Sequence, residues 1–322
     1  MKQLVREVKI TGTGSYLPEK VITNKYLEST IDTNADWIYE NLGIKERRIA
    51  ADNQATSDLA SNAALNAIEN AGLVVSDIDL IIVATATPDR LAPSTAAIVQ
   101  DKIKAYNAVA FDIAAVCSGF LYGMSVASQY IATSVYDNVL VIGADTFSRI
   151  TDWSRRDAVF FGDGAGAAVI SLTQNKDEAI VDVNCSSDGS QKDLLLTPGI
   201  QSGEATFMQM KGNETFKVAV RTLTSDVKKI MAKNGYKNED IDLFVPHQAN
   251  YRIIKAVGDA LKFEDEQKVL TVEKYGNTSS ASIPMAINDC FESGRLSNGQ
   301  TVLLDAFGGG LTWGSAIVKF NG

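Results

Sequence analysis

The chain has 322 residues, 45% apolar and 21% charged, with 24 Gly and 6 Pro, the proportions of a folded globular protein and not of a disordered or collagenous one. Thirty basic against 39 acidic residues leave a net charge of −9, which gives nucleic acid or an anionic membrane no chain-wide attraction. The length suits two ordinary domains or one duplicated fold.

Taken in chain order, the first strong element is a helix opened by Ser57, with Leu59, Ala60, Ala63, Ala64, Ala67, Ile68 and Ala71 at helical spacing and Gly72 at its end. Leu80–Ala84 is a continuous apolar run, as expected of a buried strand, and Ala108–Ile113 is a second. From Ile113 to Tyr136 there is no charge, a stretch long enough to span a bilayer. Its serines, Gln129 and Thr133 make it too polar for lipid, so it predicts a helix buried on all sides within a water-soluble protein. Asn138–Gly143 and Ala167–Leu172 are further strands. Strands alternating with helices predict a sheet with parallel strands covered on both faces.

The second half repeats the first. Asp77-Ile78-Asp79-Leu80 returns 163 positions on as Asp240-Ile241-Asp242-Leu243, again opening an apolar strand through Phe244 and Val245. Asn70-Ala71-Gly72 before the first has its counterpart in Asn234-Gly235 before the second. A second uncharged stretch, Tyr275–Asn288, matches the first when Cys117 is set against Asn277, and Ser315–Phe320 closes the chain as a strand. The repeat predicts two similar α/β halves sharing a central pair of buried helices, with the residues that open those helices, Cys117 and Asn277, facing each other at the junction.

The scarce residues limit the chemistry. The cysteines are Cys117, Cys185 and Cys290, and His247 is the single histidine. Their spacing offers no zinc motif, and an odd cysteine count behind a start with no signal peptide predicts a reducing, cytoplasmic setting. Cys117 follows a strand and opens a helix, where the macrodipole favours thiolate among the small residues Ala114, Ala115, Ser118 and Gly119; the competing reading is an inert buried cysteine. His247 stands just past a strand, where α/β folds place ligands, and Asn277 reads by itself as a helix N-cap. The glycine runs Phe161-Gly162-Asp163-Gly164 and Phe307-Gly308-Gly309-Gly310 lead into strands, and so predict close backbone passages instead of phosphate loops.

In combination, Gly12–Pro18, Asp36-Trp37-Ile38, Gly43–Arg47, the Cys117 segment, Phe161–Ala168, Pro246–Asn250, Gly276–Ser279 and Phe307–Gly314 resemble the condensing enzymes of the thiolase superfamily, most closely the β-ketoacyl-acyl-carrier-protein synthase III family. The resemblance runs nearly end to end. It implies a duplicated five-layer αβαβα fold with two mixed sheets and central buried helices, with Cys117 in an N-terminal half over 1–172 and His247 and Asn277 in a C-terminal half over 173–322. It implies decarboxylating condensation of an acyl thioester with malonyl-acyl-carrier protein, without metal or cofactor. Cys117 would carry the acyl group, the backbone of Cys117 and Gly310 would hold its oxygen, and His247 and Asn277 would stabilise the enolate.

Trp37 and Arg155 would bind coenzyme A, with Gly212, Phe216, Ala249 and Asn250 along the pantetheine arm. Gln248, Ala249, Asn250, Tyr251 and Arg252 would dock the carrier protein, helped by Lys211, Lys217, Arg221, Lys228, Lys229 and Lys255. Ala92, reaching across a homodimer, and Phe161 would line the acyl pocket. The family's usual arginine four residues after the tryptophan is here Asn41, with Arg155 or Arg156 as a substitute, and its usual pocket-capping phenylalanine is here Ala92, which leaves volume for a longer, branched or polar primer. Two other outcomes share these residues: transfer of the acyl group to a non-malonyl acceptor, and a non-catalytic partner subunit.

Overall fold

A computed structural model describes residues 6–199, 203 and 206–322. The first half runs β1 (Glu7–Tyr16), β2 (Lys20–Thr23), α1 (Asn24–Glu28), α2 (Ala35–Leu42), β3 (Glu46–Ile49), α3 (Thr56–Asn70), β4 (Leu80–Ala84), α4 (Thr95–Ile103), β5 (Val109–Ile113), α5 (Gly119–Ala132), β6 (Asn138–Asp145) and β7 (Gly164–Thr173). The second runs β8 (Ile180–Ser187), β9 (Leu195–Leu196), β10 (Gln209–Met210), α6 (Gly212–Asn234), β11 (Leu243–Pro246), α7 (Tyr251–Leu261), α8 (Val272–Tyr275), α9 (Ser282–Glu292), β12 (Thr301–Gly308) and β13 (Thr312–Lys319).

Two mixed sheets carry the fold, ordered β1-β7-β6-β4-β5 and β11-β12-β13-β8. In the first, β5, β4 and β6 are parallel and β7 and β1 antiparallel. In the second, β11 and β12 are parallel and β13 and β8 antiparallel, so β4, β6, β7 and β1 correspond to β11, β12, β13 and β8. The counterpart of β5 shrinks to a bridge between Phe244 and Lys268. Local devices repeat with the same 163-residue offset. Asp79 accepts from Asn138 N (3.0 Å) and Asp242 from Thr301 N (2.7 Å). Gly72 and Gly235 both end their helices in the left-handed region, at φ 67° and 74°.

Strand alternation builds the layers. Leu80, Ile82, Val139 and Val141 face α5 and α9 between the sheets, while Ile81, Val83, Leu140 and Ile142 face α3 and α4 outside. On the far side, Phe244, Leu303 and Ile317 pack under α6 and α7. Both faces of both sheets are thus covered, which accounts for the uninterrupted apolar runs. The uncharged stretch holds the 14-residue α5, and among the described residues no helix is long and apolar enough to cross a membrane.

Two sequence readings shift. Helix α3 begins at Thr56, one residue before Ser57; Asp58 accepts from Ala55 N, while the N–H and hydroxyl of Ser57 both bond Asp89. The glycine runs are close passages, as expected: a Cβ on Gly166 would lie 2.6 Å from Met285 N, and one on Gly308 would lie 2.9 Å from Cys117 N.

Candidate active site

Cys117 is presented by a tight turn, Val116–Ser118, between β5 and α5, with Val116 at φ 47°. Ser118 Oγ donates to Ala115 O and meets Thr312 Oγ1 at 2.7 Å, which fixes the turn against β13. The second half repeats the turn at Ser279–Ala281, with Ser279 at φ 52° before α9. These two strained residues set the true register: Cys117 corresponds to Ser280, and Asn277 lies three positions earlier. Asn277 therefore neither opens nor caps α9, contrary to the sequence reading. Its N–H donates to Phe160 O (2.8 Å), its O accepts from Gly162 N (3.0 Å), and its Oδ1 accepts from Ser279 N (2.9 Å). With the oxygen engaged in the loop, the amide nitrogen is left to donate.

His247 follows β11, pinned by donation from its N–H to Asp305 O (2.6 Å). Its Nδ1 lies 2.6 Å from Ser282 Oγ. Beneath the junction, buried Asp145 accepts from Thr85, Ala86 and Thr87 of the first half and from Ser280 N and Oγ of the second, tying the two halves together. Asp163 of the glycine-rich segment accepts from Ala50 N, Ser148 N and Ser148 Oγ. Arg47, fully buried, donates to Val159 O and Asn24 Oδ1 and supports the Phe160–Gly162 strip that clasps Asn277.

One cavity of about 310 Å³ is lined by Cys117, His247 and Asn277 together. One side is apolar, formed by Ala86, Val116, Phe147, Phe161, Leu195 and Met208. The other holds Ala249, Asn250, Ile253 and Thr215. Phe147 and Phe161 stack with centroids 5.0 Å apart. Burial pushes the Cys117 thiol up to about 12 and holds the His247 imidazole down at about 3. Burial thus opposes the thiolate that the helix terminus was expected to favour, and opposes charge on the imidazole as well. Cys185 and Cys290 are also raised by burial, to about 12 and 11, and neither lines the cavity.

Other expected residues lie elsewhere. Gly310 is exposed and outside the cavity lining; Gly308 is the glycine pressed against the Cys117 backbone. Gln248 is buried, not on the surface, because its side chain donates to Pro246 O and Val269 O and accepts from Thr271 N and Val272 N, so it cannot also greet a partner protein. Arg155 pairs with Asp157, and it is Arg156 that covers the Trp37 ring, 3.8 Å from its centroid. Asn41 donates to Trp37 O of its own helix. Gly212 opens α6, and Phe216 on that helix lies under Arg252. Tyr251 and Arg252 are exposed, Asn250 caps α7, and Ala92 is exposed in a loop of the single chain. Ser282, Asp145 and Phe147 were missed by sequence reasoning; only Ser282 fell within a feature singled out there, the uncharged stretch Tyr275–Asn288, with nothing to mark its role. Among the described residues no group of three or more His, Cys, Asp or Glu is placed to hold a metal.

A duplicated, five-layered fold with thiol, imidazole and carboxamide on one cavity is the architecture of the thiolase-like condensing enzymes. Models of 3-oxoacyl-[acyl-carrier-protein] synthase III match residues 111–189 and, for its C-terminal part, 231–320. A β-ketoacyl-[acyl-carrier-protein] synthase III of Sulfurovum sp. is 55% identical, the alignment covering 96% of this chain and 94% of that one. The same-named protein of Aliarcobacter butzleri is 52% identical over 95% and 96%. Among solved structures, 3-oxoacyl-[acyl-carrier-protein] synthase III from Aquifex aeolicus superposes with a TM-score of 0.93 at 42% identity, covering 97% of this chain and all of that one. A priming β-ketosynthase of the R1128 polyketide pathway gives 0.94 at 30%, covering 99% and 98%. The chain belongs to the β-ketoacyl-acyl-carrier-protein synthase III family, and is an acyltransferase of the condensing class.

Proposed function

We propose that Cys117, His247 and Asn277 carry out the decarboxylating condensation of an acyl primer, delivered as a coenzyme A or carrier-protein thioester, with malonyl-acyl-carrier protein. The observation that carries this reading is the meeting of all three side chains, one from the first half and two from the second, on one largely apolar cavity. We place the division between the halves at residues 172 and 173.

The chemistry follows from the residue types. Sulfur is both nucleophile and leaving group, so acyl transfer to Cys117 and departure from it are equally accessible. A thiol held near 12 needs a base as it attacks, and the neutral His247 imidazole on the same cavity is one. Loss of CO2 from the malonyl thioester then places charge on the thioester oxygen, which N–H donors from His247 and Asn277 stabilise. The Cys117 N–H is the proposed donor to the acyl oxygen; Gly310 is not at the cavity to supply a second.

The acyl chain occupies the apolar side and the thioester arm enters past Asn250. Trp37 and Arg156, already paired, form the coenzyme A face. Among the described residues Lys211, Lys217, Arg221, Lys228, Lys229 and Arg252 are exposed and make no ion pair, leaving a cationic surface on α6 and α7 for an acidic carrier. Edge strand β5, with Val109 exposed, and Leu91 at 83% exposure present the surface on which a second copy would pair as a homodimer. A cytoplasmic location completes the reading.

The test uses malonyl-carrier protein labelled in its free carboxyl. Wild type releases labelled CO2 only when a primer is present, and His247→Ala, which lacks the base, acylates more slowly and loses a further factor of roughly 10²–10³ in CO2 release. Acyl transfer to another acceptor without CO2 would replace this reading by the acyltransferase alternative.

A further inference from the structure

Gly43–Arg47 is a motif to which the reaction proposed above gives no task, and the fold sets it behind Asn277. Asn277 leaves α8 through Gly276, at φ 66°, and its backbone bonds to the irregular Phe160–Gly162 strip: Asn277 N donates to Phe160 O (2.8 Å) and Gly162 N to Asn277 O (3.0 Å). Lys45–Arg48 grips both sides of this pair. Lys45 N donates to Glu273 O of α8 (2.9 Å), and Asp163 N, just past the strip, donates to Arg48 O (2.8 Å). Arg47 Nη2 donates to Val159 O (2.8 Å), the carbonyl just before the strip.

Arg47 is the centre of that grip. A Cβ on Gly162 would lie 3.1 Å from Arg47 Cβ, and one on Gly276 3.3 Å, so the stem of the arginine fills the groove that these two glycines leave open. Its side chain is fully buried and, among the described residues, has no carboxylate partner; the neighbouring Glu46 pairs with Arg48. Burial lowers its pKa from 12.5 to about 10, which leaves it a cation at neutral pH. That charge is aimed at neutral oxygens: Val159 O before the strip, and Ile22 O (3.2 Å) and Asn24 Oδ1 (2.8 Å) where β2 meets α1. A buried cation without a counter-ion is an unfavourable way to fill space. What it provides is a rigid charged fork with strong bonds to several oxygens at once, and here the fork ties the strip to a separate element.

We infer that Arg47 is the positioning residue of the decarboxylating step: by fixing the Phe160–Gly162 strip, it fixes where the Asn277 carboxamide points. The inference rests on the function proposed above, in which Asn277 donates to the malonyl thioester oxygen and takes no part in acyl transfer to Cys117. The groups that acylate are held by other contacts. The Cys117 turn is bonded to Thr312 through Ser118, and His247 to Asp305 and Ser282. A change at Arg47 therefore separates the two half-reactions.

The test measures them separately in Arg47→Lys, which keeps the charge and loses the fork. Acetyl-coenzyme A should acetylate Cys117 completely and at close to the wild-type rate, while CO2 release from malonyl-carrier protein by the acetylated enzyme falls about 10²-fold. In an Asn277→Ala background the same substitution should slow CO2 release no further, because a residue that acts through Asn277 then has nothing to position. A purely structural arginine would instead lower the acetylated fraction and both rates together. If Arg47→Lys does not fold, Asn24→Ala, which removes one anchor of the guanidinium outside the cavity lining, should show the same separation with a smaller loss. Unchanged CO2 release, a proportionate loss in both half-reactions, or additive losses with Asn277→Ala would overturn this inference alone. A wild-type enzyme that forms no adduct on Cys117 would overturn the underlying function and the inference with it.

Discussion

Burial sets the protonation of Cys117 and His247, and with it the pH behaviour of the site. The thiol is raised from the ordinary 9.0 to about 12 by desolvation. Its alkylation by iodoacetamide in unliganded protein should therefore keep rising about tenfold per pH unit past 9, where an ordinary thiol levels off. A plateau near neutral pH would mean that a thiolate is stabilised after all. His247 is lowered from 6.5 to about 3 by the same cause. The unfolded chain takes up a proton that the folded ring refuses, so this group's contribution to stability is complete above 6.5 and is lost as pH falls towards 3. As pH falls from 6.5 towards 3, the denaturant midpoint of wild type should drop relative to that of His247→Gln, which has no titrating group there; a constant gap would contradict the assignment.

Elements, not single residues, decide which acyl groups fit. Phe147 follows β6 with its neighbours held on both sides: Thr146 N donates to Thr87 Oγ1, and Thr151 Oγ1 donates to Phe147 O. Its partner ring, Phe161, belongs to the strip bonded to Asn277. Neither ring can retreat without moving the turns that hold Thr146 or Asn277, whereas Met208 is unbranched and adaptable. Phe147→Leu should therefore favour a primer two carbons longer by about 10-fold or more relative to acetyl, read as relative kcat/KM across straight-chain acyl-coenzyme A donors. An unchanged profile would place the length limit elsewhere, for example on a partner's loop around Ala92.

The elements were also where the sequence was most legible. Leu80–Ala84 could be read to the residue, because a strand covered on both faces needs an unbroken apolar run. The repeat was legible because Asp79 and Asp242 perform the same backbone bond at the same offset. Aligning Cys117 with Asn277 misplaced the second turn by three positions, since no residue type reveals which position takes positive φ; Val116 and Ser279 share a conformation and no chemistry. Motif resemblance picked out Cys117, His247 and Asn277, which the fold brings to one cavity, whereas the burial of Gln248 was hidden because a surface amide and one spent on four internal bonds look alike in sequence. The burial that opposes a Cys117 thiolate was hidden for a similar reason: a helix terminus can be located from sequence, but desolvation depends on packing from the other half.

At the scale of the whole molecule, a net charge of −9 opposes an acidic carrier, and the proposed recognition rests on the exposed cationic residues of α6 and α7. Replacing Arg221, Lys228 and Lys229 by Glu should raise KM for malonyl-carrier protein about tenfold or more at low salt, with little change for coenzyme A donors. The difference should shrink as ionic strength rises. An equal effect on both donors would mean that these residues serve the fold or the shared arm.

The two halves of the chain exist, on this account, to bring one sulfur to one imidazole and one carboxamide. Peptide-resolved mass spectrometry after incubation with acetyl-coenzyme A tests that most directly. The account predicts a single acetyl thioester on Cys117, formed more slowly in His247→Ala, absent in Cys117→Ser, and discharged by malonyl-carrier protein with release of CO2. Acetylation at Cys185 or Cys290 instead, or a Cys117 adduct that malonyl-carrier protein leaves in place, would contradict it.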